Sequence, residues 1–207
     1  MQQLSTKGTM VILVRHGERV TRSGETQEDA NDAPLTERGR QQAMQMALTL
    51  QSVPLAAIYS SPYRRCVQTA QIICERQRSP TSLILEPDLR EWDILPSYRG
   101  YPVRTAWKYW CRAANWLRPP EGEAIEDLAW RGASVCERIA QHHQGHTVAL
   151  CGHKALFRAT CEKLVWAPEL VKEELELNEG CMLQLWREHN RQWIALTYTI
   201  VNLEQKQ

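Results

Sequence analysis

The alternation of short apolar runs with stretches of helical periodicity most narrows what this chain can fold into. Residues 10–14 form a continuous apolar run rich in β-branched side chains, the pattern of a strand buried on both faces. Runs at 55–59, 83–85 and 147–151 read as further strands. Between them the apolar positions shift to helical spacing. Thr36 and Glu37 open one helix, as N-cap and first-turn acid, and Ala43, Met46, Ala47 and Leu50 line its inner face. Pro62 is predicted at the first position of a second helix, with Val67, Ala70, Ile73 and Cys74 on its apolar side. Residues 104–117, 123–143 and 154–166 read as three more helices and 15–34 as a loop. The stretches 181–186 and 193–199 form a last strand pair, readable as a hairpin. This order predicts one α/β domain over residues 1–207 with a mainly parallel sheet.

Composition narrows the function. Among 207 residues, Lys and Arg number 25 and Asp and Glu 24, a net charge of +1. That balance argues against nucleic acid as a partner, which a basic excess would serve. Arginine nevertheless outnumbers lysine 19 to 6, and arginine grips planar oxyanions bidentately. No apolar run approaches the ~20 residues that span a bilayer, so no membrane association is expected. The polar first ten residues do not read as a signal peptide. Seven scattered cysteines without a CxxC pair argue against a disulfide framework or a zinc site. A reducing cytoplasm is the expected compartment.

Ligands of parallel sheets gather at the carboxyl ends of strands. Three polar motifs follow strands here: Arg15-His16-Gly17-Glu18, the segment 60–65 with Arg64 and Arg65, and Gly152-His153. A neutral imidazole on a rigid strand end is a nucleophile, and an adjacent guanidinium holds an anionic substrate against it. Of the other histidines, His142 and His143 suit the dipole of a helix end, and His146 and His189 read as surface residues. Residues 169–179 read as an acidic, solvated helix face. Eight tryptophans stand against one phenylalanine. Trp92, Trp107, Trp110 and Trp116 fall in a lid-like insert at about 92–120, either as core packing or as an aromatic wall for a leaving group.

The ordered set of motifs resembles the histidine phosphatase superfamily, which includes the cofactor-dependent phosphoglycerate mutases. The matching stretches are residues 15–18, 35–43, 60–70 (Ser-Ser-Pro-x-x-Arg-x-x-Gln-Thr-Ala), 89–91, 120–123 and 151–153. The resemblance implies a phosphoglycerate mutase-like three-layer sandwich, a parallel sheet flanked by helices. It implies that His16 is phosphorylated, that Arg15 and Arg65 hold the phosphoryl oxygens, that His153 is the second core histidine and that Glu91 is the proton donor. Arg64 beside Arg65, Arg22 six residues after His16, and Lys154, where many members carry glycine, are further substrate-binding candidates. Residues 92–100 replace the glycine-rich stretch of many members, which implies a different substrate mouth.

The implied reaction is metal-independent hydrolysis of phosphomonoesters through a phosphohistidine, with no cofactor. The implied partner is a phosphorylated small molecule or a phosphoprotein. Three alternatives stand beside it: a mutase-type phosphotransferase, a phosphohistidine-protein phosphatase, and a phosphate-binding module without turnover.

Overall fold

A computed structural model describes residues 8–93, 122–165, 178–189 and 192–200. The expected helix at 104–117, the lid-like insert beyond Asp93 and most of the acidic stretch at 169–179 lie outside them. Six strands form one sheet: β1 (Thr9–Arg15), β2 (Leu55–Ser60), β3 (Ser82–Leu85), β4 (Thr147–Gly152), β5 (Cys181–Arg187) and β6 (Trp193–Ile200). Their order is β3-β2-β4-β1-β5-β6. The first four in that order run parallel, and β5 and β6 are antiparallel additions beside β1. The sheet is therefore mixed and mainly parallel, and the last two strands pair directly with each other as expected.

Among the described residues five helices accompany the sheet: α1 (Gln27–Asp32), α2 (Glu37–Leu50), α3 (Arg64–Glu75), α4 (Ile125–His142) and α5 (Lys154–Leu164). The strand alternation of side chains decides which face each helix covers. Val11 and Leu13 of β1 pack with Leu128, Val135 and Ile139 of α4 and with Leu156 and Phe157 of α5. Ile12 and Val14 point the other way, to Ala43, Met46 and Leu50 of α2 and Ala70 and Ile73 of α3. None of the four β1 side chains is more than 1% exposed. Each such burial contributes about 1.5–3 kcal/mol, so the strand that ends in Arg15 is among the most firmly held.

Two expectations need correction. The stretch 15–34 is not all loop, because Thr26 and Asp29 form a reciprocal capping box that starts α1. The second long helix begins at Arg64 rather than Pro62. Ser61 N–H still donates to the Cys151 carbonyl, 2.9 Å away, so the chain has not left the sheet when it reaches Pro62. Tyr63 remains extended (φ −67°, ψ 134°) as the N-cap. Among the described residues no helix is long and apolar enough to cross a membrane.

Candidate active site

The register of the central strands builds the site. Arg15 of β1 pairs with Gly152 of β4, so His16 and His153 leave the sheet side by side. His16 N–H donates to the Gly152 carbonyl at 3.2 Å, and the two imidazole centres are 5.3 Å apart. Gly17 then turns the chain onto α2. A Cβ on Gly17 would lie 2.3 Å from the Gly39 carbonyl oxygen, and one on Gly39 would lie 2.0 Å from that of Glu18. Gly17 N–H donates to Thr69 Oγ1 (3.2 Å) and Glu18 N–H to Gln42 Oε1 (2.7 Å), tying the loop to α3 and α2.

Hydrogen bonding defines the state of His16. Its Nδ1 lies 2.7 Å from the Gly17 carbonyl, which can only accept, so Nδ1 carries the hydrogen. Arg65 Nε donates to Nε2 at 3.1 Å, so Nε2 keeps its lone pair. Burial, then the Arg65 guanidinium, hold the His16 pKa well below the usual imidazole value; the Gly17 carbonyl opposes them, and Arg15 and Arg19 add to the lowering. His153 is fully buried and likewise held well below that value, by burial first and then by Arg65 and His16. Its Nδ1 accepts from Arg65 Nη2 (3.1 Å), and its Nε2 shares a hydrogen bond with Ser61 Oγ (2.9 Å).

Arg65 thus spans both imidazoles and is only 5% exposed. Its Nη1 donates to the carbonyls of Ala30 (2.7 Å) and Asn31 (3.4 Å) at the end of α1, and its guanidinium lies 5.1 Å from the Tyr63 ring centre. Arg15 Nη2 lies 3.5 Å from Glu179 Oε1. Glu179 was expected on a solvated acidic face. Instead its carbonyl accepts from Gln42 and its carboxylate faces Arg15, because the adjacent Gly180 N–H bonds back to the His16 carbonyl.

Glu91 follows a 3-10 turn at Pro87–Leu89. Burial raises its pKa, while N–H groups of Trp92 and Leu156 and the charges of Arg65 and Arg15 pull it down. Its loop is clamped from α4. Arg131 pairs with both carboxylate oxygens of Glu123 (2.6 and 2.7 Å) and donates to the carbonyls of Asp88 (2.6 Å) and Arg90 (3.0 Å). Trp92 Nε1 donates to the Glu123 carbonyl at 2.7 Å. Trp92, grouped by sequence with the lid tryptophans, is a core residue, 3% exposed.

The structure therefore brings His16, His153, Arg65 and Arg15 together and sets Glu91 within reach of both arginine charges. Arg22 and Arg64 line a cavity of about 320 Å3 with Glu25, Asp29 and Asp32, and Arg64 pairs with Asp32 at 3.8 Å. Lys154 lines a different cavity, one wall of which is Glu91. His143 sits at the C-cap of α4 as expected; its Nε2 meets the Tyr59 hydroxyl at 3.0 Å, and burial lowers its pKa.

Ser61, Tyr63, Arg19 and Arg131 were not singled out from the sequence. Ser61 entered only as a member of the matching stretch 60–70, with no role of its own. Arg19, the last residue of the Arg-His-Gly-Glu-Arg stretch, was given no role; Glu25 holds it through two hydrogen bonds (3.0 and 2.6 Å). Chemically, the site offers an unprotonated imidazole nitrogen flanked by guanidinium donors, the arrangement that stabilises a phosphoryl group in transfer. Among the described residues no group of three or more His, Cys, Asp or Glu side chains is arranged to hold a metal ion.

Comparison with known proteins agrees with this geometry. Probable phosphoglycerate mutase GpmB of Escherichia fergusonii is 27% identical over 201 residues, covering 92% of this chain and 90% of its own. Bacillus stearothermophilus YhfR superposes with a TM-score of 0.75 at 23% identity, over 94% of this chain and 98% of that one. A phosphoserine phosphatase mutant from Entamoeba histolytica, in complex with phosphoserine, gives 0.68 at 19% identity, over 92% and 96%. The sequence profile of the histidine phosphatase superfamily (branch 1) matches residues 11–199, nearly the whole described core and both histidine-bearing strand ends. The chain belongs to that superfamily.

Proposed function

We propose that this protein is a phosphomonoesterase that works without a metal, through a phosphohistidine on His16. The observation that carries the reading is the His16 ring itself. The Gly17 carbonyl holds the hydrogen on Nδ1, so the Nε2 lone pair faces Arg65 and, through it, His153. In the first step Nε2 attacks phosphorus and the P–O bond to the alcohol breaks. Glu91 gives its proton to the departing oxygen. Arg15, Arg65 and His153 meet the equatorial oxygens. Water, deprotonated by Glu91, then cleaves the P–N bond and restores the neutral imidazole.

The substrate is read as a small phosphorylated metabolite, since the Entamoeba relative holds phosphoserine; a phosphoprotein is the wider option. The compartment is read as cytoplasmic, in keeping with six free thiols among the described cysteines. One observation favours a mutase as the second reading: the Escherichia fergusonii relative is named a probable phosphoglycerate mutase.

Purified protein in EDTA should release phosphate from an aryl phosphate. The variant His16→Ala should lose at least about a thousandfold in kcat and take up no acid-labile label from a radioactive phosphoryl donor. Label retained in that variant would place the nucleophile elsewhere. Isomerisation of phosphoglycerate that depends on 2,3-bisphosphoglycerate, without net phosphate release, would select the mutase.

A further inference from the structure

Beside Glu91 lies a cavity of about 490 Å3 lined by Glu91, Trp92, Ile125, Lys154, Ala155, Arg158, Ala159 and Glu162. That volume is within the range that holds small ligands. Two of its residues connect it to the proposed reaction: Lys154 directly follows His153 in the chain, and Glu91 is the proposed acid. A group leaving toward Glu91 therefore leaves toward this cavity.

The lining is specific in its chemistry. Trp92, Ile125, Ala155 and Ala159 supply an apolar wall suited to a carbon skeleton. Of the two cations, Arg158 is already matched, since its Nε lies 3.3 Å from Glu162 Oε1 one turn along α5. Lys154 is half-buried and has no carboxylate within ion-pair distance among the described residues. With Glu91 protonated, as an acid donor must be, the wall carries one unmatched positive charge. A second phosphate would bring close to two negative charges against one ammonium, next to two glutamates. A carboxylate brings one.

Resting on the phosphatase reading above, we propose that the cavity is the leaving-group subsite and that Lys154 selects phosphomonoesters whose alcohol carries a carboxylate. Lysine suits this role because its ammonium is a compact charge on a flexible stem, able to follow carboxylates on skeletons of different length.

The test compares matched esters on the full chain: 3-phosphonooxypropanoate against n-propyl phosphate, with 1,3-propanediol bisphosphate as the dianionic arm. Wild type should favour the carboxylated ester over the neutral one by on the order of tenfold in kcat/KM, as expected for one charged hydrogen bond. The bisphosphate should gain less. In Lys154→Gln the preference ratio should fall close to one, in Lys154→Glu it should invert, and Lys154→Arg should keep most of it. An unchanged ratio in Lys154→Gln overturns the subsite, as does a wild type that treats acid and neutral ester alike. A bisphosphate favoured over the carboxylate overturns the choice of anion. Wild type that hydrolyses none of the three, nor an aryl phosphate, overturns the phosphatase reading itself. That result is distinguishable from failure of the subsite alone, in which hydrolysis proceeds without preference.

Discussion

Burial acts on His16 and Glu91 in opposite directions. Removing a charge from water is costly, so the imidazole pKa falls and the carboxyl pKa rises. Both groups thereby favour the neutral forms that the proposed attack and proton donation require at the same pH. The sign of the pH dependence follows. His16 stays unprotonated below its ordinary value of 6.5, so turnover should persist into mildly acidic solution. On the other side, turnover of alkyl phosphates should fall as pH rises through the raised pKa of Glu91. In Glu91→Gln that alkaline limb should vanish and alkyl esters should slow about a hundredfold. Aryl esters, whose leaving oxygen needs little protonation, should slow much less. Profiles of kcat/KM against pH for one ester of each kind measure this; equal losses would mean that another group is the acid.

At the level of elements, the site depends on contacts between segments distant in the chain. α1 supplies the carbonyls that hold Arg65, and α4 supplies Arg131, which holds the loop of Glu91. The Arg131–Glu123 pair is about 10% exposed on each side. Breaking such a pair by removing one partner leaves a poorly hydrated charge and costs about 3 kcal/mol. Arg131→Gln should therefore lower Tm and, by freeing the loop, slow alkyl esters more than aryl ones. A lower Tm with both esters slowed alike would make Arg131 merely structural. None of this clamp was legible in the sequence. Arg131 is one arginine among many on an amphipathic helix, and only packing shows that its face meets residues 88–93. α1 was overlooked for a related reason: its Thr26–Asp29 capping box is a short-range signal with almost no apolar periodicity behind it.

Across the whole molecule, the buried histidines couple the site to stability. Unfolded histidines titrate near 6.5, whereas His16 and His153 titrate well below that in the folded chain. Between those values the unfolded chain binds more protons. Stability present above pH 6.5 is therefore lost as pH falls through the window. Glu91 works in the reverse sense, since its raised pKa makes its contribution fade as pH rises through it. Tm should fall from pH 7 to 5, and His16→Asn combined with His153→Asn should flatten the slope. A slope equally steep in the double variant would assign the acid sensitivity to other groups.

Apolar periodicity by itself determined the strands, most helices and the α/β order, because burial on one or both faces writes a direct pattern into the chain. His16 and His153 were legible because residues at strand ends are placed by the strands that carry them, and Arg65 was legible through the resemblance of its motif to a known family. What only the tertiary structure decided is the sheet order that sets β1 beside β4 and so His16 beside His153. It also decided the ion pair of Arg15 with Glu179 and the cavities that Arg22, Arg64 and Lys154 line. Those facts depend on distances between segments far apart in sequence, and on the desolvation that arises only when the segments pack.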